Sequence, residues 1–319
     1  MPPSDAAVAG PFPDGATLRE GDRGWVLVEA PTARSAGPAA VWAVRNELRS
    51  LHLVVGGDDP AGLAGDLARR LGSLAVDTRC SAIVGTDLVG ADPTPVPAPE
   101  APPGFITAAA QPFAGLFGEV GLEVVVEHGV VRGEVHGLEV ARVAIEEGEA
   151  TLGVGVGRFD REITAMLHAE LPDADAVVRA AGIVREHRFA GGPPHPLMSM
   201  GRSRWVRSEL LAAPSTIGLV DLVAVDTTVQ PPNLRDPHPA AALGRDGSGR
   251  TVVVVCGAGV DLDLVTLAAD TRARHAPDAD LLLVVPEGDR LAPVVAVGDA
   301  LGHAPRWVEC PPPWATGAG

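Results

Sequence analysis

Apolar and polar positions follow different periods along the chain, and the changes of period divide it. Residues 1–20 show no period and are rich in Pro, Gly and Asp, which reads as a loose tail. Order is expected to begin near WVLVEA at 25–30. PAAVWAVRNELRS (38–50) has helical spacing, LHLVV (51–55) is a short apolar run, and DDPAGLAGDLARRLGSL returns to helical spacing with Asp59 as cap and Pro60 as first helical residue. Together these predict a small α/β unit over 21–90. ADPTPVPAPEAPPG (91–104) follows, and its alternating prolines cannot pair in a sheet, so it reads as a linker.

Over 121–157 the pattern becomes short β-branched runs separated by His-Gly, His-Gly and EEGE turns, the signature of an antiparallel meander. Asp160 then caps a helix over REITAMLHAEL, with a second over ADAVVRAAGIVREHRF, so 105–190 is expected to be meander plus helices. After the Pro/Gly break at 190–196, the stretch 197–312 alternates helices with strands (GLVDLVAVD, TVVVVC, ADLLLVVP, RWVEC) that are apolar throughout. Such strands belong to a sheet covered on both faces and at least partly parallel. The fold class expected is therefore α/β, α+β overall. A C-terminal three-layer α/β domain with a mixed sheet is preceded by a β-meander and the small N-terminal unit. No internal repeat of useful length is visible in the sequence.

Composition narrows the chemistry. The formal charge is −16, with sequence pI ≈ 4.9, which argues against gripping nucleic acid through a broad basic face. All 25 basic residues are Arg, since the chain contains no Lys, and Tyr is also absent. This is the composition of a GC-rich bacterial coding sequence. It removes the phosphate-loop, Schiff-base and kinase lysines in their usual forms. Cys80, Cys256 and Cys310 are an odd count without CxxC spacing, so neither a disulfide framework nor structural zinc is expected. With no basic-then-apolar leader in MPPSDAAVAG and no apolar run of spanning length, a cytoplasmic protein is expected.

The succession helix, strand, D-G-x-G-R turn, strand, helix with DLDLV, and strand ending LLLVVPEGDR resembles the restriction-endonuclease-like PD-(D/E)XK superfamily in its DNA-repair nuclease branch, over roughly residues 200–310. The resemblance implies that RDGSGR (245–250) joins a hairpin and that TVVVVCG is the strand that carries Glu-x-Lys in the family. Val255 then stands where the Glu belongs, Gly257 where the Lys belongs, and Ala241 near the metal-binding Asp. None of the three can hold a cation or stabilise a pentacoordinate phosphorus. What the resemblance implies is a catalytically degenerate fold.

Candidate chemistry lies elsewhere. In VVVVC-GAG-VDLD, Cys256 would end a buried strand, Gly257 and Gly259 would allow a tight turn, and Asp261 would cap the next helix, which is a ligand-binding arrangement in open α/β sheets. Asp261 and Asp263 form a DxD pair, Asp270 lies two turns beyond Asp263 on the same helical face, and together they could hold Mg²⁺ or Mn²⁺, or serve as cap, first-turn acid and partner of Arg274. On the meander, Glu127, His128, Glu134, His136 and Glu139 read as a His/Glu metal group or, more plainly, as the solvated face of a sheet. GVGVGRFD (153–160) sits between strand and helix like a dinucleotide loop but fails its spacing at Arg158. RSRWVR (202–207) reads as a helix with a core Trp and solvated arginines.

The function expected is a protein with a degenerate nuclease-like domain acting in assembly, regulation or partner binding. A metal-dependent hydrolase with a relocated acidic site and a small-ligand binder stand as alternatives. No cofactor is expected outside the hydrolase alternative. The expected partner is a protein or a second copy of the chain, not nucleic acid and not a membrane.

Overall fold

The computed structural model describes residues 7–158, 160–162 and 173–315. The chain is a mixed α/β protein with three sheets, and its backbone clusters into two units. The first unit comprises residues 1–97, 261–277 and 290–306; the second comprises 98–260, 278–289 and 307–319. The division between Pro97 and Ala98 falls inside the proline-rich stretch.

In the first unit a six-stranded sheet runs in sequence order: β1 (Val8–Phe12), β2 (Gly15–Glu20), β3 (Arg23–Val28), β4 (Ser50–Val55), β5 (Asp77–Val84) and β6 (Asp87–Ala91). The pairs β3–β4 and β4–β5 are parallel, joined by α1 (Ala36–Arg45) and α2 (Pro60–Leu71); the remaining pairs are antiparallel. Order thus begins earlier than the expected tail. Residues 8–20 form the β1–β2 hairpin, whose β2 buries Thr17 opposite Val26 of β3 and whose strand pattern is diluted by Gly, Pro and Asp. Residues 1–6 of that tail lie outside the described residues.

The second unit holds the meander β7 (Glu123–Glu127), β8 (Val130–Val135), β9 (Leu138–Glu146) and β10 (Glu149–Val154), in that spatial order. Against it pack α3 (Gln111–Glu119) and α4 (Asp173–His187), around a core of Phe117, Val131, Val135, Leu138, Val143, Val177 and Val184. Most of the helix expected over REITAMLHAEL lies outside the described residues; of its start, residues 157, 158 and 160–162 are described and are helical. After a short helical turn α5 (Pro196–Ser199), α6 (Arg202–Ala212) covers a five-stranded mixed sheet. Its strands are β11 (Leu219–Val225), β12 (Ala240–Asp246), β13 (Thr251–Cys256), β14 (Asp280–Pro286) and β15 (Arg306–Cys310). Asp246-Gly-Ser-Gly-Arg250 turns β12 into antiparallel β13, and β13 runs parallel to β14.

Between β13 and β14 the chain forms α7 (Leu264–His275), and between β14 and β15 α8 (Ala292–Asp299). Both helices cluster with α1 and α2 in the first unit, so 197–312 is not one compact body. The topology also repeats where no repeat was visible in sequence. Three antiparallel neighbours, a helix, a parallel strand, a second helix and a further strand occur at β1–β5 and again at β11–β15. Leu51, Leu53, Val54 and Val55 correspond to Leu281, Leu283, Val284 and Val285; Leu71-Gly72 and Cys80 correspond to Leu301-Gly302 and Cys310. The rest of the pattern is met by different apolar side chains, because a buried strand needs volume more than identity.

Candidate functional site

The functional geometry of the second unit starts from two tight turns. At His128-Gly129 and His136-Gly137 both central residues have positive φ, as a two-residue turn matched to strand twist requires. At the second turn a Cβ on Gly137 would stand 2.3 Å from the Arg204 backbone carbon, so only glycine lets α6 pass this close to the meander. Arg188, fully buried, fastens the junction. It donates to the carbonyls of His136, Leu197 and Met200 and lies 4.3 Å over the Trp205 ring. Burial lowers its guanidinium to about 9.

This approach buries the face that sequence reading left to solvent. Glu127, Arg132, Glu134 and Glu139 are each less than a tenth exposed, and so are Arg204 and Arg207 of α6, which were expected to be solvated. Their positions follow from strand alternation: Val131, Gly133 and Val135 turn to the apolar core, so Arg132 and Glu134 turn the other way. The register sets like charges directly opposite each other, Arg132 against Arg142 and Glu134 against Glu139. Like charges so placed repel, so the face needs counter-charges from outside the sheet.

α6 supplies part of them. Arg207 donates to Glu127 and lies 3.5 Å from Glu134, and Arg204 lies 2.9 Å from Glu127 and 3.9 Å from Glu134. Arg132 donates to Glu127 at 3.2 Å and to Glu139 at 2.7 Å, while Arg161 donates to the other oxygen of Glu139 at 2.7 Å. Arg142 reaches only to 3.9 Å from Glu139. Although Glu127 is fully buried, the guanidiniums of Arg204, Arg207 and Arg132 outweigh that burial and hold its carboxyl well below the usual range. Burial dominates at Glu134 and pushes it up, toward its neutral form. Neither oxygen of Glu134 accepts a hydrogen bond.

The sum is cation-rich: Arg132, Arg142, Arg161, Arg204 and Arg207 face Glu127, Glu134 and Glu139, one of which is driven toward neutrality. Burial and the crowding of Arg132, Arg161 and Arg204 hold Arg142 below the usual guanidinium range despite Glu139. The network opens into a cavity of about 670 Å³. Arg132, Arg142, Arg158, Arg161, Arg204 and Arg235 line it, against Glu139 and Asp236 as the acidic side chains. Val156, Met200, Pro231, Pro232 and Leu234 also line it, with the amides of Gln230 and Asn233. Asn233 fixes the loop by accepting from the backbone amides of Arg235 and Asp236, and Asp160 accepts from Val156 N at 2.7 Å. The glycine loop that failed as a dinucleotide motif thus sits at the cleft through Val156, Gly157 and Arg158.

The residues singled out from sequence are dispersed. Cys256 is fully buried on β13, and burial pushes its thiol up to about 12, so the group keeps its proton at neutral pH. Gly257 N donates to Val284 O, and Gly259 N to Asp289 at 2.7 Å. Gly259 lines a smaller cavity of about 150 Å³ together with Arg202, Arg204 and His238. Ala241 and Val255 stand opposite each other in the β12–β13 register, both fully buried.

The acidic trio lies in the first unit. Helix α7 starts at Leu264, after Asp263, so Asp261 does not cap it; it accepts from Asp263 N instead. Arg34 lies 2.5 Å from Asp261, Arg70 2.6 Å from Asp263, and Arg69 grips Asp270 with two donors at 2.9 and 3.2 Å. Gly37, whose Cβ would collide with Asp263 Cα, brings its N–H within 3.0 Å of the same carboxylate. Among the described residues no three His, Cys, Asp or Glu side chains converge as a metal site requires.

The chain matches no protein-family model, no curated protein and no solved structure. The site must therefore be argued from its own residues. Sequence reading named Glu127, Glu134 and Glu139 but missed Arg132, Arg142, Arg161 and Arg235 as a group. Only strict alternation along β8 and β9, combined with arginine as the sole cation, hinted at it.

Proposed function

We propose that the chain is a binding protein for a multiply charged anion, taken up in the arginine cleft of the second unit, with the nuclease-like C-terminal sheet acting as scaffold. One observation carries this reading: beside a buried core of Arg132, Arg204 and Arg207 with Glu127, Glu134 and Glu139, the partly exposed Arg142 and Arg161 and the exposed Arg235 add guanidiniums along a cavity whose carboxylates, among the described residues, are Glu139 and Asp236. Uncompensated buried charge is expensive, and an anion in the cleft supplies the missing counter-charge. The overall charge of −16 does not oppose this, because the local field at the cleft has the opposite sign. The replacement of the family's catalytic positions by Ala241, Val255 and Gly257 supports the scaffold part of the reading. The test is thermal unfolding in inorganic pyrophosphate: a saturable rise of the midpoint, absent in Arg142→Ala/Arg161→Ala, is expected, and a flat response in the wild type refutes the reading.

A second reading, docking of a second copy or another protein, has its own observation. The β5–β6 hairpin leaves Ile83, Val84, Leu88 and Val89 exposed, and β6 is an unpaired edge strand. Light scattering of the wild type against Leu88→Asp tests it. A concentration-dependent mass that Leu88→Asp lowers supports association, and a wild type that stays monomeric at all concentrations excludes self-association.

A further inference from the structure

We infer that the anion is a small organic phosphate whose phosphoryl group lies among Arg142, Arg161 and Arg235 and whose uncharged body lies along the wall of Val156, Met200, Pro231 and Leu234. This rests on the anion-binding reading and deepens it. The charge balance asks for at least a dianion, since a single carboxylate would leave guanidiniums uncompensated. The planar fork of arginine matches two phosphate oxygens at once, which a compact ammonium does not. Arg142 keeps only a long approach to Glu139, and Arg235, exposed on the 226–239 loop, makes no ion pair among the described residues, so both have donors to give.

The rest of the lining is chemically different. Its apolar side chains, with Gln230 and Asn233 beside them, suit a neutral body carrying hydroxyls or amides. About 670 Å³ is the space of a metabolite-sized ligand rather than of an extended polymer. Two further facts separate this from a nucleic-acid groove. Among the described residues no Phe or Trp lines the cavity, His128 being its aromatic member, and the chain's net charge of −16 repels a polyanion that extends beyond it.

The experiment is calorimetric titration of the full chain with matched pairs, inorganic phosphate against ribose 5-phosphate and pyrophosphate against ADP, with an oligo-dT strand alongside. We expect at least one organic phosphate to bind about tenfold or more tighter than its inorganic partner. Arg142→Ala and Arg235→Ala should weaken both members of the pair. Leu234→Asn and, as a second variant in case the first unfolds, Val156→Asn should weaken the organic phosphate more than its inorganic partner and so reduce the organic advantage. Equal affinity within both pairs overturns this inference while the anion-binding reading stands. Tighter binding of oligo-dT than of either organic phosphate also overturns it, in favour of a nucleic-acid ligand. Absence of binding by every probe overturns the inference and the reading together.

Discussion

Two buried ion networks, one in each unit, are made from the same residue types and come out differently. In the first, Arg34, Arg69 and Arg70 meet Asp66, Asp261, Asp263 and Asp270. Burial pushes Asp261 up, against the pull of Arg34, so the excess carboxylate can be discharged by holding a proton. In the second, the excess is guanidinium, and arginine cannot discharge it, because its pKa stays far above neutral even when lowered. A glycine at each site lets backbones close on the network, Gly37 beside Asp263 and Gly137 beside Arg204. In the first network Asp261, Asp263 and Asp270 are matched by Arg34, Arg69 and Arg70, with Asp66 half in water; in the second, the extra guanidiniums of Arg142 and Arg161 are what the proposed anion would meet.

The largest effects should come from breaking either network at its most buried cation. Arg70→Met takes the close cation from Asp263 and should cost about 3–5 kcal/mol in denaturant unfolding, while Arg207→Met, which leaves Glu127 paired with Arg132 and Arg204, should cost less. An effect below about 1 kcal/mol for both would mean that the charges are not held as described.

Next comes a contrast inside the second network. Glu127→Gln should destabilise by about 3 kcal/mol or more, since three guanidiniums hold that carboxylate ionised. Glu134→Gln should destabilise less than Glu127→Gln, since burial shifts Glu134 toward its neutral form while the guanidiniums hold Glu127 ionised. The pH profiles should have opposite signs. The folded pKa of Glu127 is depressed, so its contribution is present above the ordinary carboxylate range and lost as pH falls below it. The folded pKa of Glu134 is raised, so its contribution is present below the ordinary range and lost as pH rises through its folded value. Glu127→Gln should therefore flatten the acid limb of a stability profile, and Glu134→Gln should flatten a decline on the alkaline side of about pH 4.3. Equal profiles for the two variants would remove the asymmetry from the account.

The smallest expected effect is on stability at the edge hairpin. Leu88→Asp should leave unfolding within about 0.5 kcal/mol, because that side chain is already in water, while changing association if β6 is a docking edge.

Much of the fold was legible in sequence. The three α/β blocks, the meander with its His-Gly turns, the Asp246-to-Arg250 hairpin and the mixed C-terminal sheet follow from periodicity and turn chemistry. The β1–β2 hairpin was hidden by Gly, Pro and Asp at its exposed positions. The site was less legible for a definite reason. Alternation places Arg132 and Glu134 on one strand face in either reading, but only α6, some 70 residues on, decides whether that face meets water or Arg204 and Arg207. Likewise Asp261, Asp263 and Asp270 look like ligands until Arg34, Arg69 and Arg70 arrive from the far end of the chain. Long-range ion pairing has no local signature, and it decided the role of nearly every charged residue named from sequence.

The most direct test of that distinction is the unfolding midpoint of wild type and Arg142→Ala across a pyrophosphate series. Without ligand, Arg142→Ala should be at least as stable as wild type, because the substitution relieves crowding among Arg132, Arg161 and Arg204. With ligand at about a hundredfold its dissociation constant, the wild type should gain about 2.7 kcal/mol and the variant almost nothing. A wild type indifferent to pyrophosphate, or an Arg142→Ala that is destabilised alone yet rises in parallel with ligand, would contradict the claim that this network is open for an anion.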